Sequence, residues 1–178
     1  IDLLRETLSR PSKEHRVIVL HMIGSHGPTY YRRYPEKFAK FVPDCPRSDI
    51  QNCEEAELTN TYDNTIAYTD YVLGQIIEQL STIPNSSMLY LSDHGESLGE
   101  KGLYLHGFPY NLAPVEQTHV PMVYWASKFS QPEYSDCVKS LSSHPYSHDN
   151  LFDTLLGLTN VQSSTYQPTQ DILRKCES

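Results

Sequence analysis

Two short apolar runs enclosing one long helical period constrain this chain more than any other feature of it. Residues 16–23 (RVIVLHMI) are β-branched and mostly apolar and end at Gly24-Ser25-His26-Gly27-Pro28, so they read as a buried strand running into a loop. Residues 88–92 (MLYLS) read the same way and lead into Asp93-His94-Gly95. Between them, residues 54–80 set Leu58, Tyr62, Ile66, Val72, Leu73, Ile76 and Leu80 three or four positions apart or in register with that spacing, the mark of a long helix with one buried face. Pro84-Asn85 stops it. A strand, a crossover helix and a second strand apolar on both faces make a β-α-β unit, which predicts an α/β fold with a mostly parallel sheet flanked by helices. Residues 120–126 (VPMVYWA) predict a third strand, and residues 149–158 (DNLFDTLLGL) a further helix capped by Ser147 or Asp149.

Charge and cysteine content narrow the class. The 178 residues carry 14 Lys plus Arg against 22 Asp plus Glu, a net charge of −8 with no basic cluster, which argues against nucleic acid or an anionic lipid surface as partner. The longest apolar run, residues 17–20, falls far short of the roughly 20 residues of a membrane-spanning helix. No repeat, low-complexity tract or linker divides the chain, so it reads as one domain or part of one. The four cysteines are not spaced as a zinc knuckle. Cys45 and Cys53 lie in a Pro- and Asp-rich stretch where a short bridge closes easily, which leaves Cys137 and Cys176 to pair by elimination; free thiols are the alternative.

In α/β sheets, ligand sites form in loops beyond the carboxyl ends of the strands. Both candidate loops carry histidine there: Ser25-His26-Gly27, and Asp93-His94-Gly95-Glu96. An adjacent Asp and His offer a carboxylate oxygen and an imidazole nitrogen, a donor mix suited to Zn²⁺. His106 follows in LYLHG. Taken singly each has a plainer reading. The Asp93-His94 pair can be a turn, His26 can cap the next segment, and His106 can pack against Tyr104 and Phe108. His21 reads as a core or supporting residue, and His119, His144 and His148 as loop residues. Glu96 and Glu100 read as solvated, although Glu96 could also orient a ligating histidine through a hydrogen bond.

Their combination resembles a known family. GSHGPTYYRRYP (24–35), NTYDNTIAYTDY (60–71), LSDHGESLGEKGLYLHG (91–107) and SHDNLFDTLLGLT (147–159) are similar to the membrane-anchored lipid A phosphoethanolamine transferases, which include the mobile colistin-resistance enzymes, within the alkaline phosphatase and sulfatase superfamily. The DHGE motif speaks only for the superfamily; the SHGPTYY and YLHG segments are the specific part. The resemblance implies that Asp93 and His94 are ligands of a catalytic Zn²⁺, and that His26 and His106 face the phosphoethanolamine group or hold a second metal. It further implies transfer of phosphoethanolamine from phosphatidylethanolamine to lipid A through a phosphothreonine, polymyxin resistance, and a location on the periplasmic face of the bacterial inner membrane. That oxidising compartment suits the Cys45–Cys53 bridge.

One feature departs from the family. Its nucleophilic threonine and a further acidic zinc ligand lie near the start of the catalytic domain, whereas residues 1–13 show no strand leading to a nucleophile-bearing helix. Residues 1–178 therefore read as the C-terminal part of a sulfatase-like catalytic domain, with the transmembrane anchor and the nucleophile-bearing half absent and the piece inactive alone. Thr29, Thr59 and Thr61 are not promoted to nucleophile. Two other readings stand beside this one. A sulfatase or phosphodiesterase of the same superfamily would share DHG, although no CxPxR motif is present, and a non-catalytic zinc-binding module belongs to a different class.

Overall fold

A computed structural model describes residues 1–12 and 15–176. Lys13, which closes the opening stretch read above, lies outside them. In chain order the elements are α1 (Asp2–Ser9), α2 (Glu55–Leu80), β1 (Ser87–Leu91), β2 (Ser97–Leu98), β3 (Tyr104–Leu105), α3 (Val115–Thr118), β4 (Met122–Ala126), α4 (Pro132–Leu141) and α5 (Asp149–Leu158), with short 3₁₀ turns between some of them. They fall into two compact units, one chiefly of residues 20–82 and 88–124, the other of residues 2–19, 83–87 and 125 onward.

In the first unit the long helix forms within one residue of its expected start, but it buries a different face. The buried positions are Leu58, Thr61, Asn64, Thr65, Thr69 and Ile76, while Ile66 is 47% exposed. The reason lies in what packs against the helix: irregular backbone, whose N–H groups require acceptors once water is excluded. The Cys45 N–H donates to Thr61 Oγ1 at 2.7 Å, and the Lys40 and Phe41 N–H groups donate to Asn64 Oδ1 at 2.8 and 2.9 Å. Asn64 Nδ2 returns a bond to Phe41 O at 2.9 Å. Apolar packing is concentrated on Tyr30, Ile50 and Leu58, with Tyr62, Leu98, Tyr104 and Leu105 against them. Cys45 and Cys53 are joined by a disulfide just before α2.

Strands 88–92 and 120–126 appear as β1 and β4, which pair with each other. Ser127 N–H bonds Ser86 O at one end and Ser92 N–H bonds Pro121 O at the other, so the pair runs antiparallel. β2 and β3 form a second antiparallel pair, with Ser97 opposite Leu105 and Leu98 opposite Tyr104. Its reversal uses left-handed backbone at Gly99, Lys101 and Gly102, a conformation glycine adopts without steric cost. The strand expected over 16–23 does not form. Those residues are assigned no strand, and Val17, Val19 and Ile23 are 65%, 85% and 63% exposed, with His21 exposed as well. An apolar pattern reports what a segment can bury, but a strand also needs a partner ladder, and none of the described strands supplies one here.

In the second unit, α5 occupies the residues expected of it. The N-cap position is His148, not Ser147 or Asp149, and makes no side-chain cap bond, while Ser147 Oγ one residue earlier accepts the Asp149 N–H at 3.2 Å. One face of α5 is polar and holds the chain that follows it: Asp153 Oδ1 accepts the Gln167 N–H at 2.6 Å, and Thr154 Oγ1 accepts the Ile172 N–H at 3.0 Å. Leu4, Tyr134 and Leu173 are its buried apolar residues besides Ala126. A second disulfide links Cys137 on α4 to Cys176.

Two outcomes follow for the first unit. Replacing Cys45 and Cys53 together by Ser is expected to lower its stability by about 2.5 kcal/mol, the loop-closure value for an eight-residue separation. Equilibrium urea unfolding measures it, and an unchanged midpoint would show that the bridge adds nothing. Burial, then the Glu96 charge, pushes the Tyr62 phenol up to about 12, against about 10 in an unfolded chain. A raised folded pKa gives a contribution fully present below pH about 10 and lost as pH climbs toward 12. The Tyr62→Phe variant should therefore lose stability less steeply between pH 10 and 12, as read from denaturant midpoints at each pH.

Candidate functional site

The loop after β1 is shaped by contacts that only glycine permits. Gly95 N–H donates to Gln117 O at 3.0 Å, and a Cβ on Gly95 would overlap the Glu116 carbonyl oxygen. Gln117 Nε2 also bonds the fully buried Ser97 Oγ at 2.8 Å, so α3 holds the Asp93-His94-Gly95-Glu96 turn at Gly95 and again just past Glu96. From this turn His94 projects toward His106, which leaves the hairpin directly after β3. Their rings stack at 3.8 Å between centroids. The loop carrying His26 meets them, with its ring 5.0 Å from His106 and 5.9 Å from His94. One ligating atom from each of the three residues lies within 4.8 Å of those of the other two.

Each histidine is held by the same nitrogen. His26 Nδ1 lies 2.7 Å from Gly27 O, His94 Nδ1 2.9 Å from Gly95 O, and His106 Nδ1 3.1 Å from Glu96 Oε1. Two carbonyls and a carboxylate accept hydrogen bonds and cannot donate, so Nδ1 carries the proton and Nε2 keeps its lone pair in the neutral ring. Three imidazoles whose ligating atoms lie this close together, with a carboxylate at hand, form a nitrogen and oxygen donor set of the kind zinc takes, and the residues present fit that ion. Asp93 sits at the rim. Its carboxylate is 86% exposed, accepts the His94 N–H at 3.1 Å and lies 3.9 Å from His94 Nε2.

The structure thus brings together three of the four residues singled out from the sequence, with Asp93 beside His94 but outside the trio. His21, His119, His144 and His148 take no part in the cluster. Glu96 differs from its simplest expectation. It is buried, not solvated, and accepts from Gly27 N–H at 3.1 Å and Tyr30 Oη at 3.0 Å besides His106. Burial, then the Glu96 charge, pushes the Tyr30 phenol up, so it stays a donor. The signal was the β2–β3 register, which sets residue 96 opposite residue 106; it becomes visible only once the hairpin is known.

A sulfatase family model matches residues 1–161 of the chain. The protein belongs to the sulfatase family. Among the chain's relatives, phosphoethanolamine transferase EptA of Salmonella typhimurium is 54% identical over 167 residues, covering 90% of this chain and 30% of the relative. Phosphatidylethanolamine transferase Mcr-1 of Escherichia coli is 43% identical over 163 residues, covering 89% of this chain and 29% of the relative. The soluble domain of lipooligosaccharide phosphoethanolamine transferase A from Neisseria meningitidis has a TM-score of 0.91 at 45% identity, over 98% of this chain and 54% of that one. The C-terminal periplasmic domain of phosphoethanolamine transferase EptC from Campylobacter jejuni has a TM-score of 0.88 at 47% identity, over 97% and 55%. The α/β sulfatase-like class expected from the sequence is therefore the class of this fold. The chain spans about 30% of the length of the curated relatives it matches.

Glycine substitutions test how the chain builds its turn. Gly95→Ala is expected to displace His94 and weaken zinc binding at least about tenfold, the scale seen when groups supporting a metal site are lost. Gly74→Ala, where an added Cβ meets nothing within 4 Å inside α2, should instead stabilise the protein by about 1 kcal/mol. Isothermal titration with Zn²⁺ and thermal unfolding on the two variants make the comparison.

Proposed function

We propose that this chain supplies the metal- and phosphate-facing wall of a phosphoethanolamine transferase that moves phosphoethanolamine from phosphatidylethanolamine to lipid A. The observation that carries the reading is the trio His26, His94 and His106, whose ligating atoms lie within 4.8 Å of one another and whose rings are each tethered through Nδ1. The printed names of the EptA and Mcr-1 relatives support the reaction class. In this reading Asp93 and His94 would hold zinc, while His26 and His106 face the group in transfer. Bound zinc supplies Lewis acidity, lowering the pKa of a hydroxyl nucleophile and offsetting charge on phosphoryl oxygens. The Nε2 atoms of His26 and His106 bind those oxygens when protonated and can hand a proton to the departing diacylglycerol oxygen.

The nucleophile in this reading is a threonine outside these 178 residues, and the group passes through a phosphothreonine on its way to lipid A. Within the chain, Thr61 is buried and bonded to Glu57 O and the Cys45 N–H, and Thr59 Oγ1 donates to Glu55 O, so both hydroxyls serve α2 and the loop on it. The exposed apolar residues Val17, Val19 and Ile23 fit a chain that is the C-terminal part of a larger catalytic domain. The setting is the periplasmic face of the inner membrane, where two disulfides persist. Phosphoethanolamine adds an ammonium to lipid A and weakens its attraction for polycations, which is how polymyxin resistance would follow.

The test uses zinc-loaded chain and free phosphoethanolamine, with binding followed by ³¹P NMR and calorimetry. Binding should require zinc and weaken by about tenfold or more in His26→Ala, His106→Ala and Asp93→Ala. Equal binding by all variants would sink the reading. Incubation with labelled phosphatidylethanolamine should leave the chain unphosphorylated; label on a threonine would move the nucleophile inside it.

A further inference from the structure

Glu96 does more than neighbour the cluster. Ser97 faces Leu105 across β2 and β3, so one step further along the same register Glu96 falls opposite His106, and the two side chains meet at 3.1 Å. Its other contacts come from a distant stretch of sequence. Gly27 N–H donates to the same oxygen, Oε1, at 3.1 Å, and Tyr30 Oη donates to Oε2 at 3.0 Å. Glu96 and Tyr30 are 6% and 1% exposed, so no water competes for these bonds. Gly27 gains its approach by lacking a side chain, since a Cβ there would lie 2.6 Å from both Leu105 Cδ2 and Tyr30 Oη. The carboxylate therefore ties the loop of His26 to the hairpin of His106 and faces three donors with two oxygens.

We propose that Glu96 is a positioning residue of the site: through the reach of its side chain, and not through its charge, it fixes His106 in the Nδ1–H tautomer and sets the distance between the His26 loop and His106. The proposal rests on the transferase reading of the site given above. Reach and charge separate because one oxygen accepts from both Gly27 and His106. In Glu96→Gln the amide oxygen keeps those two bonds, and the amide nitrogen meets Tyr30 Oη, whose hydroxyl turns to accept. All three links survive without the charge. In Glu96→Asp the charge survives, but the arm is one methylene too short to reach Gly27, Tyr30 and His106 together. His106 Nδ1 then loses its acceptor, and its proton is free to move to Nε2. The histidines held by backbone carbonyls are insulated from this change, and His94, bonded to Gly95 O, provides an internal reference.

The experiment takes the full chain labelled with ¹⁵N-histidine, free of zinc, at a pH above the ordinary histidine range, and reads ring nitrogens by long-range ¹H–¹⁵N correlation. The wild type and Glu96→Gln should show His106 with Nδ1 protonated and Nε2 bare. Glu96→Asp should show His106 shifted toward the Nε2–H form with His94 unchanged. The proposal is overturned if Glu96→Asp keeps the wild-type tautomer, or if Glu96→Gln behaves like Glu96→Asp, because charge would then be the operative property. That readout does not involve phosphoethanolamine. A failed transferase reading would leave the tautomer pattern intact, and a failed tautomer pattern would leave the phosphoethanolamine-binding losses of the histidine variants intact.

Discussion

An anion sealed from water is tolerated only where donors surround it, and the candidate site is organised around one such anion. The Glu96 carboxylate collects a backbone N–H, a phenol and an imidazole from segments that are remote in sequence. Remove those donors and the charge is stranded in the interior; remove the side chain that bears it and a buried phenol and a buried N–H lose their acceptor. The same condition governs the neighbouring packing. Tyr30 must be buried to deliver its hydroxyl, and its burial in turn recruits Ile50, Leu58 and the aromatic rings of Tyr62 and Tyr104. Core and site are thus parts of one arrangement.

Local signals were read from the sequence reliably where the chain itself satisfies them. The helix over 54–80, the helix over 149–158 and the strands over 88–92 and 120–126 all form, because periodicity and stop signals act over a few residues. The histidines of the site were legible for a different reason: motifs at loop positions keep their chemistry in plain view. Three features were hidden. Residues 16–23 carry a strand-like pattern, but the pattern cannot report whether a partner strand is present. The buried face of α2 runs through Thr61, Asn64, Thr65 and Thr69, residues a hydrophobicity pattern assigns to solvent, because that face meets backbone rather than side chains. Glu96 looked solvated because its partners become neighbours only through a hairpin register.

The histidine trio also illustrates how geometry can set chemical state without any change of residue type. An isolated imidazole has two nitrogens of similar basicity, and either can carry the proton. Here each ring is anchored through one of them to an oxygen, which leaves the other as a defined Lewis base. Two of those anchors are carbonyls of the residue that follows the histidine, Gly27 and Gly95, and both glycines sit where an added Cβ would meet neighbouring atoms. The small residue after each of these histidines is therefore part of how the ring is held.

The two disulfides have a consequence for how such a chain matures. They link the first cysteine to the second and the third to the fourth, each inside its own compact unit. Four cysteines admit three pairings, and this is the one in which no bridge encloses or crosses another. A polypeptide that emerges from its N-terminal side presents Cys45 and Cys53 well before Cys137 appears, and Cys137 must then wait for Cys176. For these four thiols, an oxidant that joins each newly arrived thiol to the one still unpaired reaches the connectivity seen here without reshuffling.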